Sequence, residues 1–187
     1  MNTRLTDIHD STAAPAPACS IRRGMPADAD ALCVFAARTF TDTYGRHNRP
    51  EDLRMHLTTS YGLLQQMREL SDPDVATLLA CCGEQLAGFA QVRRGPAPAC
   101  VTGEAPVELH RFYVDAVWHG RGVGQLLLAH ARDAAIAFGG ATFWLKVWER
   151  NPRAIAFYAK ESFVDVGTAD FFVGSDRQSD RVLAMAL

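Results

Sequence analysis

The sequence predicts an α/β protein with one central, twisted, mixed sheet of about seven strands and helices on both faces. Three observations lead there. Two apolar runs, Val75 to Cys82 and Leu86 to Arg93, flank Gly83-Glu84-Gln85 as the arms of a β-hairpin. The aromatic run Val107 to Val114 leads through the glycine-rich turn His119-Gly120-Arg121-Gly122-Val123-Gly124-Gln125 into a helical pattern from Val123 to Phe138. Strand and helix then alternate: Thr142 to Val147 is a strand, and Asn151-Pro152 opens a further helix.

The remaining elements follow in chain order. Residues 1–18 are polar and then Ala/Pro-rich, which reads as a disordered tail before a single domain over residues 19–187. Ser20 to Arg23 is a short strand. Pro26 sits in a helix first turn, and Ala31, Leu32, Val34, Phe35 and Phe40 carry that helix to about Thr41. Thr43 to Arg49 is a loop, and Pro50-Glu51-Asp52 begins helical sequence that runs through Leu70. Ser71-Asp72-Pro73-Asp74 ends it. Gly95 to Pro106 is an exposed connection. Phe171–Val173 and Val182–Ala186 read as a final antiparallel pair, joined by the polar segment Gly174–Asp180.

Composition narrows the function classes. At 187 residues, with 48% hydrophobic and 21% charged residues, the chain is an ordinary globular protein long enough for a full core. A net charge of -2 gives no basic field for nucleic acid. No apolar run approaches the ~18 residues of a membrane-spanning helix, and the first twenty residues lack a signal-type apolar core. The five cysteines, Cys19, Cys33, Cys81, Cys82 and Cys100, are odd in number and form no C-x-x-C. That pattern predicts neither a disulfide framework nor a metal site, and it fits a reducing cytoplasm.

The glycine-rich turn carries the chemistry. Glycines let the backbone approach a ligand and turn several N–H groups toward one point, at the positive end of a helix dipole. Such a turn seats a pyrophosphate. A nucleotide P-loop would need Lys after its last glycine, where this chain has Gln125. A dinucleotide fingerprint starting at Gly120 would need a third glycine at position 125, again Gln125.

With the downstream Thr142-Phe143-Trp144-Leu145-Lys146-Val147 strand, Asn151-Pro152-Arg153-Ala154-Ile155-Ala156-Phe157-Tyr158 and Phe163, this loop resembles the GNAT superfamily of acetyl-CoA-dependent N-acetyltransferases. The resemblance runs from about Ser20 to Leu187 and is densest between Glu108 and Gly167. Trp-Leu-x-Val-Trp-Glu-x-Asn is similar to the branch acting on small amines, the polyamine enzymes among them. It implies acetyl-CoA as donor, CoA as product and a small-molecule amine as acceptor, while charge and hydropathy already predict no nucleic-acid or membrane partner. A homodimer is consistent with it.

The resemblance assigns CoA contacts to Phe112, Tyr113, Val114, the loop from His119 through Gly120, Arg121, Gly122, Val123 and Gly124 to Gln125, and Asn151 and Tyr158. Phe112 to Val114 lie where family strands splay and bond the pantetheine. Tyr158 matches the tyrosine whose hydroxyl lies near the CoA sulfur, where a phenol can protonate a thiolate. Asn151 reads either as the N-cap of its helix or as a pantetheine contact. Glu108 and His110 are rival acceptors of the amine proton, on one strand face by period-2 alternation, so that one can orient the other. His119 stands where the family has Gln or Arg. Ser162 replaces a glycine that the family places after the helix, which predicts a different helix end. The acceptor pocket is expected from Phe40, Asp42, Tyr44, His47, the Glu149–Arg150 region and the last hairpin. Two readings stand: an acetyltransferase, or a CoA-binding regulatory or interaction module without turnover.

Overall fold

A computed structural model of the chain describes residues 18–187, so the predicted tail lies outside the described residues except for Ala18. The strands are β1 (Cys19–Arg23), β2 (Val75–Cys82), β3 (Gln85–Arg94), β4 (Pro106–Val114), β5 (Thr142–Trp148), β6 (Val164–Val173) and β7 (Asp176–Ala186). They form one sheet in the order β1-β2-β3-β4-β5-β7-β6. Every neighbouring pair is antiparallel except β4 and β5, which run parallel. The helices are α1 (Ala29–Tyr44), α2 (Pro50–Tyr61), α3 (Leu63–Ser71), α4 (Val123–Ala137) and α5 (Pro152–Lys160).

Helical periodicity decides which face each helix buries. On α4, Val123, Leu127, Leu128, Ala131 and Ala135 are buried at steps of three, four and one, and they join Val92, Leu109, Phe143 and Leu145 in one core. On α1, Leu32, Phe35, Ala36 and Phe40 close the opposite face over Leu79 and Phe89. The sheet is therefore covered on both sides, as expected.

Three local expectations are corrected. The helical stretch after Pro50 is two helices, because Gly62 is extended (φ -62°, ψ 151°) between them. A Cβ at Gly62 would stand 2.5 Å from the Thr58 carbonyl oxygen, so the break needs glycine. Ser162 does take the left-handed conformation (φ 71°). The Phe163 N–H bonds the Tyr158 carbonyl at 3.0 Å and the Ser162 N–H bonds the Ala159 carbonyl at 3.2 Å, a Schellman close of α5 despite the missing glycine. Phe163 then packs on the Tyr158 ring at 5.6 Å.

The third correction concerns the cysteines. β1 and β2 pair in a register that sets Cys19 opposite Cys82, and the two form a disulfide. An odd cysteine count hid a cross-strand neighbour that only register reveals. Cys33, Cys81 and Cys100 are free thiols. Among the described residues, no helix is long and apolar enough to cross a membrane.

Candidate active site

The site forms where β4 and β5 part. Their pairing runs from Pro106↔Thr142 to Leu109↔Leu145 and stops. On the other edge of β4 the partners pass from Val92↔Leu109 to Gln91↔Arg111, so His110 is the extra residue of a β-bulge. Beyond this point both strands expose backbone to a cavity of about 460 Å³, lined by Leu109 to Val114, Lys146, Val147 and the glycine loop. Open edges of this kind accept an extended ligand as a further strand.

The loop geometry suits a diphosphate. Gly120 (φ 73°) and Gly122 (φ 82°) are left-handed, and a Cβ on either would meet nothing within 4 Å. Glycine is needed there for backbone shape and clearance, not for packing. The first amide bonded inside α4 is that of Leu126, to the Gly122 carbonyl at 3.0 Å, so the amides of Gly122 to Gln125 are free for an anion. Gly120, Gly122, Gly124 and Gln125 line the cavity, whereas Val123 is buried in the core and contributes backbone only. Arg121 lies over Trp118 at 5.4 Å.

His119 is more than an exposed loop residue. Its Nε2 lies 2.9 Å from the Val114 carbonyl oxygen, and its Nδ1 meets Arg153 Nη1. Arginine only donates, so Nδ1 accepts and the Nε2 proton goes to Val114. The imidazole thus ties the end of β4 to the start of α5 and sets Arg153 beside the loop.

Asn151 takes the first of the two roles suggested for it and stands at the cavity where the second would be played. Its Oδ1 accepts from the Ala154 N–H at 3.1 Å, capping α5, while the residue also lines the cavity. The Tyr44 phenol also lies within reach of that carboxamide. Asn151→Ala is expected to cost about 1 kcal/mol of stability and also to weaken CoA binding. Asn151→Asp should keep the cap but weaken CoA binding, a separation that thermal melts and CoA titrations on the two variants would test.

Tyr158 is buried and lines the cavity, its ring held by Phe112 at 6.1 Å, Phe157 at 5.3 Å and Phe163 at 5.6 Å. Its hydroxyl makes no hydrogen bond with the described residues. Burial, with the Tyr44 phenol nearby, pushes its pKa far above the usual phenol value. The phenol therefore stays protonated at any working pH. Tyr113 points to the other face, its hydroxyl 3.1 Å from that of Tyr61.

Glu108 and His110 are brought together, at 3.6 Å, but only His110 lines the cavity. Glu108 bonds Arg93 at 2.6 Å. Burial works to raise the Glu108 pKa, but His110 and Arg93 outweigh it and hold the carboxyl below its ordinary value. Burial lowers the His110 pKa, against the pull of Glu108 and with help from Arg111 and Arg93. The pair is therefore an ionised carboxylate beside a neutral imidazole.

A second cavity, about 160 Å³, opens on the α1–α2 side and shares Tyr44, His110, Arg111, Tyr113 and Lys146 with the first. Phe40 and Tyr44 line it as expected from the sequence. Asp42, His47 and Arg150 instead line a hollow beside His119, and Asp42 pairs with Arg38 at 3.5 Å. The last hairpin contributes Phe171, Val173, Gln178 and Asp180 as expected, whereas Lys146 and His56 were not anticipated in the second cavity. Asp180 lay in a polar stretch read as a turn, and β7 in fact begins at Asp176.

Comparison with known proteins fits this geometry. Residues 36–163 match the model of the acetyltransferase (GNAT) family. An uncharacterized N-acetyltransferase of Mycobacterium tuberculosis (strain ATCC 25618 / H37Rv) is 31% identical over 160 residues, 86% of this chain and 98% of the relative. Another, from Lactobacillus delbrueckii subsp. lactis, is 27% identical over 86% of this chain and 92% of its own. The PaiA N-acetyltransferase of Thermoplasma acidophilum, solved in complex with coenzyme A, superposes with a TM-score of 0.74 at 20% identity, covering 91% of this chain and 99% of that one. The chain belongs to the GNAT acetyltransferase family. It is an acetyltransferase, and acetyl-CoA is its acyl donor.

Proposed function

We propose that the chain transfers acetyl from acetyl-CoA to the primary amine of a small molecule, by direct attack while donor and acceptor are both bound. The observation that carries this reading is the pair of cavities meeting at the β4–β5 splay, with His110 facing both. A donor entering from the glycine loop and an amine entering from the α1–α2 side would meet there without a covalent relay.

The activated acyl group comes from the thioester; the chain's residues supply placement and proton transfer. Free amides of the loop, with Arg121 and Arg153, hold the diphosphate. Backbone groups of Phe112 to Val114 pair with the pantetheine and stabilise negative charge on the acetyl oxygen. His110 accepts the proton that the nitrogen sheds as the N–C bond forms, and Glu108 fixes the imidazole's tautomer from behind. Tyr158 gives its proton to sulfur as the C–S bond breaks. Exchange with water resets both groups.

The test is thiol release from the purified chain mixed with acetyl-CoA and a panel of primary amines, alongside calorimetry with CoA, ATP and an adenine dinucleotide. Release above the hydrolysis blank is the expected result. CoA binding without release would mark a binding module, and ATP binding in place of CoA would end the reading.

A further inference from the structure

Resting on that reading of the site, we propose that the second cavity holds the distal, protonated nitrogen of a diamine-type acceptor and that Asp180 is its anchor. Asp180 is 5% exposed, and its Oδ1 is buried with no hydrogen-bond partner. No side-chain or backbone donor among the described residues bonds this carboxyl. A buried carboxylate lacking a donor is costly unless something supplies one. The missing partner is an N–H group, and a cationic one satisfies both the hydrogen bond and the charge.

The other charged groups leave that role to Asp180 alone. Arg111 is taken up by Glu69, Gln91 and the Ser60 carbonyl. His56 stays neutral, burial lowering its pKa to about 4. Lys146 makes no hydrogen bond or ion pair among the described residues and lines both cavities, whereas Asp180 lines only the second. Lys146 thus reaches from the junction toward the Phe171 ring, 5.9 Å from its Nζ, while Asp180 lies on the wall that the donor cavity does not share.

A singly protonated diamine complements that arrangement. Its near amine, beside Lys146 and His110, is driven to the neutral form that attack requires. Its far ammonium sits with Asp180 against the ring of Trp148, which lines the same cavity and attracts cations. Because Asp180 does not line the donor cavity, it is a binding residue and not the base. An ω-amino acid fits worse, since its carboxylate would face Asp180 when its amine reaches the junction.

The experiment uses the full chain with butanediamine, butylamine and γ-aminobutyrate, comparing wild type with Asp180→Asn. Thiol release gives kcat and KM, and calorimetry on the CoA-loaded chain gives binding independently of turnover. Wild type should favour butanediamine over butylamine by about tenfold to a hundredfold, with the preference mainly in KM, and should rank γ-aminobutyrate last. In Asp180→Asn the preference should collapse toward unity. If the probes are acetylated but wild type does not discriminate, or Asp180→Asn discriminates equally well, the anchor is wrong while the acetyltransferase reading stands. If no probe is acetylated but the diamine preference in binding vanishes with Asp180→Asn, the anchor stands and the amine-transfer reading falls. No binding preference for the diamine overturns the anchor in either case.

Discussion

Tyr158→Phe is expected to lower kcat for acetyl transfer by about a hundredfold while acetyl-CoA affinity changes little. The substitution removes one hydroxyl from a ring held by Phe112, Phe157 and Phe163, and phenylalanine fills the same space. Because that hydroxyl has no partner among the described residues, no hydrogen bond with them is lost, and the melting temperature should not fall. The loss should therefore appear in the chemical step alone. In wild type the raised Tyr158 pKa keeps the donor protonated, so Tyr158 should impose no alkaline limb on kcat. Steady-state kinetics with a thermal melt on the same sample would test this. A kcat within about threefold of wild type would show that water, not the phenol, protonates sulfur.

That experiment also probes what the chain disclosed before folding. The hairpin, the strand entering the glycine loop and the helix leaving it were legible because their signals are local: period-2 alternation, glycines at left-handed positions, period-3.6 burial on α4. The loop and Tyr158 were legible for the same reason, both lying in a contiguous motif. What escaped depends on partners distant in sequence. Cys19 and Cys82 stand 63 residues apart and meet only through the β1–β2 register. The bulge at His110 depends on β3, and the engagement of Glu108 depends on Arg93 across that same pair. Ser162 shows a local penalty of about 1 kcal/mol overridden by the packing of Phe163 on Tyr158.

Asp180 gives the second large effect, and it is visible without any ligand. Burial pushes its carboxyl up to about 6 from 3.8, with Lys146 pulling the other way and Glu149 adding to the rise. The folded chain thus binds this proton more tightly than the unfolded chain does, so folding is favoured at low pH and loses free energy as pH rises from about 4 through about 6. At 1.36 kcal/mol per pKa unit the penalty comes to about 3 kcal/mol at pH 8 and about half of that near pH 5. Asp180→Asn cannot ionise and escapes it. The variant should be more stable than wild type by about 3 kcal/mol in urea titrations near pH 8, with the advantage shrinking toward pH 4. Other titrating groups cancel in this difference. An advantage that did not change with pH would mean that Asp180 is not forced to ionise in a dry site. If the anchor is correct, a saturating diamine should offset the penalty, raising the wild-type melting temperature near pH 8 more than that of Asp180→Asn. A site kept at such a cost in the free chain is one whose missing donor arrives with the acceptor.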